Sequence, residues 1–149
     1  MAIDKLRDSE CSVARSLSVL GERWTLLLVR EALSGSTRFD TFQENLQMTP
    51  GVLSDRLSTL VECGVLRREE YREAGQRARS EYFLTDAGRE LHVVVGALQQ
   101  WGDEHLPTPR GPSVVRRDRD SGEPVRVAFT DLHGREVAES RVAILDATG

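Results

Sequence analysis

Thr49-Pro50-Gly51-Val52-Leu53-Ser54-Asp55-Arg56-Leu57 runs on through Leu60 to Gly64-Val65-Leu66, and later to Tyr82-Phe83-Leu84-Thr85-Asp86-Ala87-Gly88. Thr49 is a favourable N-cap, and Pro50 takes the first helical position, where a missing N–H has no helical partner to lose. A helix is expected to start there. Leu53, Leu57 and Leu60 fall at i, i+4 and i+7 and form one apolar stripe, while Gly51, Ser54, Asp55, Ser58 and Glu62 project from the other side. One face packs and the other is free to touch something. Gly64 stands where a helix C-terminus favours a left-handed residue, and the composition then turns strand-like from Val65 to Tyr71. A second strand near 79–85 and a turn around Ala74-Gly75-Gln76 complete an arginine-rich hairpin.

Outward from this stretch, Val13, Leu17 and Leu20 mark a short helix ended by Gly21. A second helix carries Trp24, Leu27, Leu28 and Ala32 on one face and is expected to be deeply buried. Ser34-Gly35-Ser36 breaks it. Arg38 to Leu46 reads as a short helix anchored by Phe39, Phe42 and Leu46, and Gln47-Met48 turns the chain into the Pro50 helix. On the other side a long helix runs from Asp86 to about His105, capped by Thr85. It carries Leu91, Val94, Val95, Leu98 and Trp101 on one stripe, with Val93 and Ala97 beside it. Two stripes exceed what a small core requires. They fit either a helix buried in its own domain or a dimer interface shared with the first helix.

Helix, turn, helix and then hairpin is the winged-helix order, a mainly α fold with a small β-wing (α+β). From about Cys11 to about Leu106 the chain resembles the HxlR-type winged helix-turn-helix regulators of bacteria, relatives of the MarR regulators. The resemblance is carried by Cys11-Ser12-Val13-Ala14, Gly21-Glu22-Arg23-Trp24-Thr25, Arg38-Phe39, Leu53-Ser54-Asp55-Arg56-Leu57, Gly64-Val65-Leu66 and Tyr82 to Gly88, in that order. It implies a homodimeric transcription factor with no enzymatic activity and no obligatory cofactor. The dimer interface would include Val13, Leu17, Val93, Ala97 and Trp101. Two-fold symmetry would place two recognition helices about one DNA turn apart, roughly 34 Å, on a pseudo-palindromic operator of double-stranded DNA.

Gly51, Val52, Ser54, Asp55 and Ser58 lie on the exposed side of that helix, where short polar side chains reach base edges and a valine meets a thymine methyl. Either they form an ordinary solvated face or they contact DNA, and the scarcity of long charged side chains favours DNA. Thr49 opens the same face. Asp55 would repel phosphate, so it either accepts from a cytosine amino group or orients Arg56, which itself leans toward a backbone phosphate or a neighbouring acid. Arg67, Arg68, Arg72, Arg77 and Arg79 surround the hairpin, diluted by Glu69, Glu70 and Glu73. Arg77 and Arg79 have no acid immediately beside them in sequence until Glu81, so they are expected to reach phosphates or the minor groove. A salt-bridged hairpin is the alternative. By resemblance, Arg38 is expected to clamp a phosphate.

The chain of 149 residues is long enough for one real core and a small appendage. Residues 1–10 read as a charged arm, 11–106 as the DNA-binding and dimerisation domain, and 107–149 as a linker and small β-rich extension. Pro107-Thr108-Pro109-Arg110-Gly111-Pro112 is the linker. Beyond it, Val125 to Thr130, a turn at Asp131-Leu132-His133-Gly134, and Arg135-Glu136-Val137 alternate like a β-hairpin. A hairpin alone is marginal in water, so this one must pack on the main domain or across the dimer: it is either a structural cover, or it helps line an effector pocket or modifies the dimer. The net charge of −4 argues mildly against indiscriminate nucleic-acid binding, although local distribution matters more. No apolar run approaches the roughly 20 residues that span a bilayer, so no membrane association and a cytoplasmic location are expected.

Cys11 and Cys63 do not make a disulfide scaffold and should be thiols in a reducing compartment. Cys11 matches the N-terminal cysteine that responds to electrophiles or oxidants in several HxlR-type regulators, and Arg15 lies one turn on. A redox-sensing thiol and a small buried residue at a dimer contact remain open readings. Cys63 reads as core. His92, His105 and His133 join the cysteines at no metal-ligand spacing, so no metal and no cofactor are expected. The leading function is a sequence-specific DNA-binding regulator, expected to be a repressor, gated by thiol-reactive species or a small ligand. A ligand or electrophile sensor, and a winged-helix protein-interaction module without DNA contact, are the alternatives.

Overall fold

The computed structural model describes residues 6–146. The first five residues of the expected arm therefore lie outside the described residues. The chain forms two compact units, the first ending at Val95 and the second beginning at Gly96. In the first, helices α1 (Ser12–Leu20), α2 (Arg23–Leu33), α3 (Phe39–Leu46) and α4 (Pro50–Glu62) precede strands β1 (Leu66–Tyr71) and β2 (Arg79–Leu84). Helix α5 (Asp86–His105) follows.

The Leu53, Leu57 and Leu60 stripe of α4 is fully buried, against Leu28 and Val29 of α2, Phe42 and Leu46 of α3, and Leu66 of β1. Complete burial of side chains this large contributes roughly 1.5–3 kcal/mol each, which is why the stripe fixes the rotation of α4. Its opposite face is thereby turned to solvent. The α2 helix sits one notch from its expected rotation: Thr25 and Val29 are buried with Leu28 and Ala32, whereas Trp24 and Leu27 are half-buried. Val29 is fully buried in the core shared with α3 and α4, and Arg23 stacks over the partly open Trp24 ring at 5.2 Å.

Glu31 joins α2 to α3. Its carboxylate accepts from Arg30 at 2.8 Å, from Asn45 of α3 at 2.8 Å and from the Ser36 hydroxyl at 3.4 Å. Partial burial opposes its ionisation, but these hydrogen bonds and the Arg30 charge prevail and hold the carboxyl below its usual value. Between α3 and α4, Gln47 takes a left-handed conformation at φ 51°, and Met48 tucks into the core. Thr49 is extended at the N-cap, but its side chain makes no capping hydrogen bond. The helix start thus rests on Pro50 and on burial of Leu53, and the expected cap is corrected to a backbone one.

Strands β1 and β2 pair antiparallel from Leu66 opposite Leu84 to Tyr71 opposite Arg79. The segment before α3 adds a bridge to the other edge: Arg38 pairs with Glu81, and the Tyr82 N–H donates to Thr37 O at 2.8 Å. The wing is therefore anchored to the helix-turn-helix through β2. At its base, Gly64 is left-handed at φ 73°, as expected from its position after α4.

In the second unit, the expected hairpin is present but short, with β3 (Phe129–Thr130) pairing β4 (Glu136–Val137) across the Asp131–Gly134 turn. A further turn, from Asp118 to Glu123, is closed by a bridge between Arg117 and Pro124. In both turns an aspartate carboxylate gathers backbone N–H groups: Asp118 those of Asp120 and Ser121, Asp131 those of His133 and Arg135. The Gln100 side-chain amide donates to Val127 O at 3.0 Å and accepts the Val127 N–H, continuing the tail's pairing onto the end of α5. A Cβ at Gly96 would lie 3.0 Å from Val127, so the small residue permits that approach.

Candidate nucleic-acid interface

Burial of the leucine stripe leaves Thr49, Gly51, Val52, Ser54, Asp55 and Ser58 exposed on one side of α4. These are short side chains, and a Cβ at Gly51 would meet only open space. The face can approach a surface closely, as reading base edges requires. Arg56 does not belong to it. Its guanidinium turns back to Glu22 at 3.2 Å, while its Nε is buried without a hydrogen bond. The neighbouring acid, one of the two expected destinations, is the one it occupies. Asp55 therefore does not orient it.

Beside α4, the wing and α3 bound an open cleft of about 380 Å³ lined by Phe39, Asp40, Ser54, Arg68, Tyr71, Arg79, Ser80 and Tyr82. Ser54 thus stands both on the exposed helix face and at the cleft wall. Arg68 donates from Nε to Ser80 Oγ at 2.7 Å across the two strands. The expectation that Arg79 stands clear of acids is corrected: its Nη1 donates to Asp40 of α3 at 3.0 Å. The acid comes from 39 positions away and left no mark on the local sequence.

Arg38 is held by three groups. Its Nη1 donates to Glu73 at 3.0 Å, its Nε donates to Glu81 at 3.3 Å, and its guanidinium lies 4.5 Å from the centre of the Tyr71 ring. The hydrogen bonds it donates to Glu81 and then Glu73 raise its pKa further above the ordinary arginine value, so it is a permanent cation. Arg67 pairs with Glu69 and stacks over Phe83 at 4.8 Å. Arg77, just past the Gly75 turn, is exposed and makes no hydrogen bond or ion pair among the described residues. The wing is therefore salt-bridged at Arg67 and Arg79, while Arg77 is left open.

Cys11 and Cys63 are free thiols, the first exposed and the second half-buried. Cys11 occupies the N-cap of α1, and Arg15 donates to Ser9 O at 2.7 Å and Glu10 O at 2.8 Å. The Cys63 thiol, at the C-cap of α4, receives the Arg7 guanidinium at 3.8 Å. It is less enclosed than a core residue. No cluster of His, Cys, Asp and Glu among the described residues is placed to hold a metal ion. No described helix is long and apolar enough to cross a membrane.

The buried stripe, the short-chained exposed face and the basic hairpin beside it are the parts of a winged helix-turn-helix. Residues 19–110 match the HxlR-like helix-turn-helix family. An HTH-type transcriptional regulator of Mycobacterium tuberculosis is 46% identical over 132 residues, which cover 88% of this chain and 82% of that one. The crystal structure of PA1607 superposes with a TM-score of 0.79 at 36% identity, over 95% of this chain and 98% of that chain. The redox regulator HypR in its reduced form superposes with a TM-score of 0.58 at 29% identity, over 64% of this chain and 94% of that chain. With the fold, the helix face and the sequence agreeing, this chain belongs to the HxlR-type family of winged helix-turn-helix transcriptional regulators.

Proposed function

We propose that the chain acts as a homodimeric repressor that reads a pseudo-palindromic operator with α4 and is released from it by modification of Cys11. The observation that carries the DNA reading is the division of α4, whose three leucines are fully buried while Gly51, Val52, Ser54, Asp55 and Ser58 face solvent. In this reading α4 enters the major groove, with Thr49 at its leading end. Arg38, Arg77 and Arg79 meet the flanking phosphates, and Arg56 steadies α4 through Glu22. Base contacts specify and phosphate contacts position.

The dimer is supported by apolar side chains that the single chain leaves uncovered. Val13 is 67% exposed and Trp101 58%, and Leu17, Val93 and Ala97 are exposed as well. Isolated exposed apolar residues are ordinary, but large ones recurring along α1 and along α5 are what an obligate partner covers. The thiol gate is supported by the exposure of Cys11 at a helix N-terminus with Arg15 one turn on, and by the likeness to a redox regulator. A shift at α1 would change the spacing of two recognition helices related by the dimer axis. On this reading 11–106 is the DNA-binding and dimerisation domain, and 107–149 an accessory extension.

The test is selection of genomic fragments by the reduced protein, repeated after diamide, with a salt titration on the best fragment. An enriched pseudo-palindrome with a steep salt slope supports the operator reading, and its loss on oxidation supports the gate. Cys11→Ser that keeps a full oxidant response overturns the role of Cys11, and enrichment of no fragment in either state overturns the operator.

A further inference from the structure

Asp40 projects from the first turn of α3, and its carboxylate accepts from Arg79 across the cleft at 3.0 Å. Both side chains are well exposed, Asp40 at 65% and Arg79 at 53%. Exposed pairs of this kind stabilise a fold little, so the contact is poorly explained as a structural staple. Its position is more informative. Asp40 and Arg79 line the same cleft as Ser54 of α4 and Arg68 of β1, beside the exposed face along which a duplex would lie. Arg38, two residues before Asp40, is likewise occupied by Glu73 and Glu81.

We propose that Asp40 is an affinity-limiting residue: its carboxylate occupies Arg79 in place of a DNA phosphate and must be displaced before the wing engages the duplex. The inference rests on the reading of this face as the DNA interface. An arginine that exchanges a carboxylate for a phosphate leaves the carboxylate behind in the cleft. The net charge delivered to the duplex there is close to zero, and the contact contributes little to counterion release. Binding held by phosphate contacts alone, which is binding to random sequence, is suppressed. A protein of net charge −4 can therefore carry five arginines around its wing without adhering to every duplex. Asp40 does this without touching a base.

The experiment measures binding of the full chain to a random-sequence duplex between about 50 and 200 mM salt, for wild type, Asp40→Asn, Arg79→Ala and the double variant. Asp40→Asn is nearly isosteric at an exposed site, so folding is preserved. It should tighten random-duplex binding about 3–10-fold at the lowest salt and steepen the logarithmic salt slope by about 1. In the Arg79→Ala background the gain should vanish. Unchanged or weaker binding by Asp40→Asn overturns the inference, since Asp40 would then merely position Arg79. Equal tightening with and without Arg79 also overturns it, because removal of any negative charge would suffice. If wild type binds no duplex at any salt, the DNA reading fails and takes the inference with it. If wild type binds with a slope that Arg77→Ala reduces while Asp40→Asn tightens nothing, the inference alone fails.

Discussion

The Gly88 N–H donates to the Thr85 hydroxyl oxygen at 3.1 Å, and that same hydroxyl reaches Gly64 O at 2.5 Å. One side chain thus caps α5 and ties it to the turn that ends α4. Thr85→Ala removes the cap and leaves the Gly64 carbonyl without its donor, at an expected cost of about 1–3 kcal/mol. Thr85→Ser should retain most of it. Urea denaturation at constant m-value is the measurement, and an alanine variant as stable as wild type would refute the role.

Gly88 is required by a close approach. A Cβ there would lie 2.2 Å from Val65 O, a backbone atom one residue before β1, and 2.9 Å from Leu84 Cδ2. Neither the buried carbonyl nor the paired strand can give way cheaply. Gly88→Ala should therefore destabilise by more than about 2 kcal/mol, despite the higher helix propensity of alanine, by separating α5 from the wing base. Gly51→Ala, on a helix face with open space around its Cβ, serves as the control and should be neutral or stabilising. Similar melting temperatures for the two variants would contradict the packing argument.

What was legible in the sequence is what a helix writes at short range. Leu53, Leu57 and Leu60, Pro50, Gly64 and Thr85 are each signalled by residues within two turns of them, and each stands where its spacing placed it. What was hidden has a common cause. Trp24 and Leu27 share a stripe with Leu28, but which edge of a stripe is buried depends on the helices packed against it, and those favoured Val29. Thr37 joins the wing by a single ladder contact, too short to impose a period of two. The partners of the candidate DNA-facing arginines were hidden for the same reason: Asp40, Glu73 and Glu22 reach Arg79, Arg38 and Arg56 only through the fold. The hydrogen-bonded Asp118 turn carried an Asp and Gly signal, but without a regular strand on either side.

The tail's two turns should respond to acid. Backbone N–H donation from Ser121 and Asp120 lowers the pKa of Asp118, and that from Arg135, followed by His133, lowers the pKa of Asp131. A carboxyl with a depressed folded pKa contributes stability that is present above its unfolded value, about 3.9, and is lost as pH falls through the folded value. The turns should therefore loosen only below about pH 4, and should be insensitive between pH 5 and 8. Amide chemical shifts of Ser121, His133 and Arg135 report this directly. Asp118→Asn should flatten the Ser121 response while leaving His133 unchanged; a Ser121 transition near neutral pH would contradict the assignment.

Arg77 and Ser54 divide affinity from sequence choice. Arg77 is an exposed cation with no internal partner among the described residues, so Arg77→Ala deletes a charge free to meet phosphate without disturbing any contact in the wing. Binding should weaken by a similar factor on operator and random duplex, and the logarithmic salt slope should fall by about 1. Ser54 carries no charge and stands on the exposed face of α4, where a hydroxyl can reach a base edge. Ser54→Ala should leave the salt slope unchanged and narrow the operator-to-random ratio, by about 1–3 kcal/mol if the hydroxyl reads a base. Because one residue acts through charge and the other through position, the two effects should add in the double variant. Equal losses on both duplexes for both single variants would mean that α4 and the wing meet DNA as one undifferentiated surface.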